Sequence, residues 1–130
     1  MPFLCEWKLP GKVLYGRVGP DLTIEEVGEL TRAVVMMIEE DGDPPIYFFV
    51  DMSALRRAPF PLTQLRRVTG DAQAPFIGCY IIIVTNPIYG FVAAAFVKLL
   101  HRPIRIVSSY DEAVLTLNDF DPELAASLTV

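Results

Sequence analysis

The chain has 130 residues, about one domain's worth and enough to bury most of its unfolded apolar surface in one core. Apolar residues make up 52% and charged residues 21%, which excludes a disordered chain, since that needs low hydrophobicity and high net charge. Eleven Lys plus Arg against sixteen Asp plus Glu leave a net charge of −5, which argues against a nonspecific nucleic-acid binder. Two cysteines, Cys5 and Cys79, are too few for a disulfide scaffold and have no metal-ligand spacing.

The N-terminus carries Glu6 and Lys8 where a signal peptide needs an unbroken apolar run. The long uncharged stretch between Asp71 and Lys98 is interrupted by Pro75, Asn86 and Pro87, so neither apolar part reaches the roughly 20 residues of a spanning helix. No membrane span is expected. Two reduced cysteines make the cytoplasm the default compartment.

Taken in order, Phe3, Cys5, Trp7 and Leu9 alternate with Leu4, Glu6 and Lys8, the period of a half-buried strand. Pro10-Gly11 reads as a turn into a second strand, 12–18, so the chain opens on a hairpin. Thr23 and Glu26 have capping-box spacing ahead of Ile24, Val27, Leu30, Val34, Met37 and Ile38, which recur at helical spacing. Gly42 is the expected stop, and Pro44-Pro45 prevents continuation.

Two continuously apolar runs, 46–50 and 79–84, read as strands covered on both faces of a parallel sheet. A short helix is predicted between them at 61–68. A third helix starts at Asn86-Pro87, a cap and first-turn pair, and runs to about Leu100 before Pro103. Ile104 to Val107 makes the last strand. Ser109 and Glu112 then form a second capping box, opening a helix to about Asn118, and the tail 119–130 either adds one short helical turn or frays. The whole is one α/β domain over 1–130. Its order is β-β-α-β-α-β-α-β-α, a five-stranded mixed, mostly parallel sheet with four main helices.

That order, with Val13-Leu14-Tyr15-Gly16-Arg17-Val18 before the first helix, Phe49-Val50-Asp51-Met52-Ser53 closing the third strand and Ser109-Tyr110-Asp111-Glu112-Ala113 opening the last helix, resembles the STAS or SpoIIAA-like family. The likeness spans roughly residues 10 to 118. It implies a regulatory binding module, usually without catalysis. In the family's antagonists a phosphorylated Ser or Thr follows the Asp-Leu-Ser strand end. Here that position falls near Phe60 or Pro61, neither of which accepts phosphate, and Thr63 is the nearest hydroxyl. The usual phosphorylatable residue is therefore expected to be missing.

Candidate chemistry concentrates after the third strand. Arg56, Arg57, Arg66 and Arg67 fall within twelve residues, beyond a strand's C-terminal end, where ligands of parallel α/β sheets gather. Arginine's planar fork of donors suits carboxylate or phosphate, so Ser53, Arg56, Arg57 and Thr63 form a candidate anion pocket. The competing reading, favoured on the sequence alone, is that these arginines pair with surface acids. Asn86 could line the same rim but is a helix cap first, and Asp51 reads as a turn-capping residue rather than a general base. The single histidine, His101, sits at the end of the third helix, where it suits the last carbonyls. A hydrolase would need Asp51 and His101 to converge. Cys5 and Cys79 read as small core hydrophobes, and no Gly-rich phosphate loop or nucleophile elbow occurs. No metal or other cofactor is expected.

The third predicted helix is apolar all round from Ile88 to Val97, with Tyr89, Phe91 and Phe96 on faces that one sheet cannot cover together. Three covers compete: a homodimer or protein partner, which is the favoured reading, the C-terminal tail through Leu124 and Leu128, or a lipid-like ligand. The functional expectation is a non-catalytic STAS-like interaction module. The alternative is a carrier or sensor of a small apolar or anionic ligand.

Overall fold

In the computed structural model of this chain, residues 3–57, 77–90 and 103–129 are described. They form an α/β fold around one five-stranded sheet of strand order β1-β2-β3-β4-β5, with β1 spanning Phe3–Leu9, β2 Val13–Val18, β3 Ile46–Asp51, β4 Ile77–Ile83 and β5 Ile104–Val107. β1 and β2 pair antiparallel, and every later pair is parallel. The helices are α1 (Ile24–Asp41), α2 (Tyr110–Phe120) and α3 (Pro122–Thr129), with a further helical turn beginning at residue 87. The predicted helix 61–68, with Thr63, Arg66 and Arg67, lies outside the described residues, as do Phe91, Phe96 and His101. No helix among the described residues is long and apolar enough to cross a membrane.

The hairpin follows from its turn. Gly11 sits at φ 76°, the left-handed region that side chains with a Cβ disfavour, and its carbonyl accepts the Asp43 N–H at 2.9 Å. A Cβ there would lie 2.8 Å from the Asp41 carbonyl oxygen. One glycine thus joins the hairpin to the end of α1.

The parallel connections through α1 and through the turn at 87 step the same way along the sheet, and right-handed connections bring both to the same face. On that face Val34 and Ile38 of α1 close over Leu14, Ile46, Phe48 and Ile77. Val18, Leu22 and Leu55 make a smaller cluster there, and Tyr89 of the turn at 87 packs against it and against Ile82 and Val84. The C-terminal helices, which cross to no further strand, take the other face. There Ala113, Val114, Leu117 and Ala125 cover Val13, Tyr15, Tyr47, Phe49, Cys79 and Ile81. Phe49 is fully buried, worth about 1.5–3 kcal/mol of transfer free energy for a side chain of this class.

Several expectations change in detail. Strict alternation along β1 fails at a bulge between Trp7 and Leu9, so Cys5 and Trp7 face α1 while Leu9 packs with α3's face. A second register shift, opposite Ile46 and Tyr47, does the same in β4: Ile77 faces α1 and Cys79 the opposite side. That strand begins at Ile77 rather than residue 79. The tail is a full two-turn helix, and Leu124 and Leu128 pack on the opposite sheet face from Tyr89. They are consumed by that core and do not cover the start of the helix at 87.

Both predicted caps form. The Glu26 N–H donates to Thr23 Oγ1 at 3.2 Å, and the Glu112 N–H to Ser109 Oγ at 3.1 Å. In the second box the returning Glu112 carboxylate reaches Ser108 instead of the cap residue, accepting its N–H at 3.1 Å and its hydroxyl at 2.5 Å. Cys5 and Cys79 are free thiols, and burial pushes each up to about 11, which suits inert core residues.

Gly11→Ala is expected to lower stability by about 1–2 kcal/mol from the left-handed backbone, with the close Asp41 contact adding to it. Urea denaturation of the two proteins measures this. A loss below about 0.5 kcal/mol would mean the turn readjusts freely.

Candidate functional site

The parallel strands β2, β3 and β4 end at the same rim of the sheet, and the segments leaving them build the site. Asp51, the last residue of β3, is only 8% exposed. A buried carboxylate must have its oxygens bonded, and both are. The Tyr15 hydroxyl of β2 donates to Oδ2, while the Ser53 N–H donates to Oδ1 at 3.0 Å. Burial alone would push the Asp51 carboxyl up. Hydrogen bonds from the Ser53 hydroxyl, Tyr15 and the Ser53 amide, with Arg17 nearby, outweigh that and hold it below the ordinary carboxylate range. Burial first, and then the bond to Asp51, raise the Tyr15 hydroxyl well above its own range.

Tyr15 is itself fixed. Its ring meets Tyr110 edge-on at 5.9 Å between centroids, and the Lys8 ammonium lies 4.8 Å from its centre. Asp51 does cap a turn, as its position suggested. The bond from Tyr15 was not legible, because it joins residues 36 apart whose register only the sheet supplies.

From Asp51 the chain turns through 52–57 in a defined course. Met52 N–H donates to the Ile83 carbonyl at 2.8 Å, Leu55 N–H to the Met52 carbonyl at 3.1 Å, and the Arg56 and Arg57 N–H groups both reach the Pro20 carbonyl. The Thr85 hydroxyl, just after β4, donates to the Ser53 carbonyl at 3.3 Å. Asn86 caps the turn at 87 through Oδ1, which accepts the Ile88 N–H at 3.0 Å. The Tyr89 hydroxyl crosses back to donate to the Arg56 carbonyl at 2.5 Å. Two loops separated by some thirty residues of sequence are thereby stitched together.

Between them lies an open cleft of about 650 Å³. The loop after β3 lines it with Ser53, Ala54, Leu55 and Arg56, the segment after β4 with Thr85, Asn86 and Tyr89, and Pro20 completes the wall. Four residues singled out from the sequence, Ser53, Arg56, Asn86 and Tyr89, therefore meet in one place. Arg57 belongs to the same loop but bridges back to the segment after β2, where its carbonyl accepts the Leu22 N–H. Thr63, Phe91 and Phe96 lie outside the described residues. Ser53 lines the wall, yet its amide and hydroxyl both serve Asp51. Thr85, Leu55 and Pro20 were missed, since nothing in their local sequence marks a rim.

Arg56 is the one charged residue among the described residues lining the cleft, and its guanidinium has no ion pair among them. The expected pairing of this arginine with a surface acid is not what its described surroundings provide. Among the described residues no group of three or more His, Cys, Asp or Glu is placed to hold a metal. No protein-family model matches the chain, and no curated protein or solved structure matches it either.

Tyr15→Phe removes one donor from a buried carboxylate and is expected to cost about 1–3 kcal/mol. Asp51 is held below its unfolded-state value, so its stabilisation is complete above about pH 4 and is lost as the pH falls through the lower, folded value. The difference between wild type and Tyr15→Phe should accordingly be largest near neutrality and shrink on acidification. Denaturation midpoints taken from pH 7 down to pH 2 check both; a difference that grows towards acid would contradict the ionised Asp51.

Proposed function

We propose that this chain is a non-catalytic binding module of STAS-like type that engages its partner or ligand through the rim cleft. The observation that carries the reading is the convergence of Arg56, Asn86 and Tyr89 from two different loops on one cleft at the C-terminal end of the parallel strands. Open α/β sheets place their ligands at that end. The cleft's volume of about 650 Å³ falls within the 300–1,000 Å³ typical of small-ligand sites.

The chemistry of the lining supports binding over turnover. The hydroxyls of Thr85 and Tyr89 and the side-chain oxygen of Asn86 are each engaged in holding the two loops. The charged group left over is a guanidinium, which offers five N–H donors in a planar fork and no acceptor. Asp51, the acid once considered for a hydrolase, is turned away into bonds with Tyr15 and Ser53.

A second reading, self-association through the apolar segment 88–100, is favoured by Ile88. It is 68% exposed at the start of that segment, while Tyr89 beside it is half-buried in the fold. Either way the module is proposed to act in the cytoplasm, the default compartment for two free thiols.

Native mass spectrometry of the full chain separates them. The cleft reading expects a monomer or dimer carrying extra bound mass, and Arg56→Glu should reduce that loaded species at least tenfold. Self-association expects an unloaded dimer that Ile88→Glu converts to monomer. A bare monomer that neither substitution alters would overturn both.

A further inference from the structure

We propose that the rim cleft recognises an oxyanion, a carboxylate or phosphate group, held by Arg56 together with backbone amides of both loops. The inference rests on the reading of the cleft as the binding surface and names what it binds.

A count of donors and acceptors carries it. Four rim carbonyls are already occupied: Pro20 accepts from Arg56 and Arg57, Ser53 from Thr85, Arg56 from Tyr89, and Asn86 from the Tyr89 and Gly90 amides. Asn86 Oδ1 is occupied as well. The unspent groups are largely donors. The N–H groups of Ala54, Thr85 and Asn86 have no acceptor among the described residues, and neither do the Asn86 side-chain amide and the Arg56 guanidinium. The carbonyls of Ala54, Leu55 and Thr85 remain as neutral acceptors beside one cationic side chain. A site with one cation, several free N–H groups and few free acceptors favours a ligand that accepts several hydrogen bonds at once. Carboxylate and phosphate do this, and a guanidinium binds either through two parallel bonds. Grouped backbone amides serve anions in the same way.

The nearby acids do not cancel this. Asp51 is bonded to Tyr15 and Ser53 and influenced by Arg17, and it leaves the sheet on the face opposite Tyr89. Asp21 is exposed and stands outside the lining.

The test follows the amide resonances of the full chain during titration with sodium phosphate, and separately with sodium acetate, at ionic strength fixed with chloride. Saturable shifts are expected at the Ala54, Thr85 and Asn86 amides, and Arg56→Ala should weaken the response at least tenfold while Arg56→Lys retains part of it. Saturation by phosphate identifies a phosphoryl ligand, and saturation by acetate a carboxylate; either supports the assignment. Shifts that saturate equally well in Arg56→Ala would overturn it. If neither anion moves these amides while Arg56→Glu still removes the loaded species, the anion assignment falls and the cleft reading stands. If that species is also untouched, both fall.

Discussion

A carboxylate buried at the end of the central strand is the constraint on which the rim depends. Asp51 cannot remain ionised inside the fold unless its oxygens are bonded, and the bonds from Tyr15 and from the Ser53 amide point in different directions. One goes across to Tyr15 on β2 and ties the strand end to the aromatic layer under α2. The other draws the Ser53 amide back and forces the chain out of the sheet at residue 52. Removing either donor leaves one carboxylate oxygen that has lost solvent without keeping its partner, which is why such sites are costly to disturb. Everything downstream, including the reach of Thr85 to the Ser53 carbonyl and the course of 55–57 past Pro20, starts from that forced exit.

Topology supplies the second half of the arrangement. With β2, β3 and β4 parallel and adjacent, their C-terminal ends share one edge, and the loops leaving them have to be neighbours. Right-handed crossovers put α1 and the turn at 87 on one face. The C-terminal helices are left to seal the other face, around Phe49 and Tyr110, whose rings meet at 5.8 Å. The face that builds the core under α2 and the rim that builds the cleft therefore carry different duties. Asp51 and Tyr15 link them.

Much of this was legible in the chain. Caps at Thr23, Asn86 and Ser109 are local, since each needs only a hydroxyl or amide and a free N–H two or three residues on. Strands β3 and β4 announce themselves because a strand covered on both faces has to be apolar throughout. Arg56 and Asn86 could be named as rim residues because strand ends are predictable, whereas Tyr89 stood out only as part of an apolar helix. What escaped depends on register. The bulges beside Trp7 and at Ile77 reverse which side chains face α1, and alternation alone carries no sign of an extra residue. Tyr15 looks like any strand tyrosine until β2 and β3 are paired. The tail's destination was equally hidden: Leu124 and Leu128 have a helical spacing that suits either sheet face, and only the free face over Tyr47 and Phe49 decides it.

The charge balance bears on which anions such a cleft admits. A chain of net charge −5 repels polyanions over many contacts, because a nucleic acid must lay phosphates along acidic surface as well as over any basic spot. A small carboxylate or phosphate meets only what lies within about a Debye length, roughly 8 Å at physiological ionic strength. Among the described residues lining the cleft the one charged side chain is Arg56, a cation on a molecule that is negative as a whole. Under the anion reading, the acidic surface and the single arginine act together. The surface excludes large anions at a distance, and the cleft holds a small one at contact.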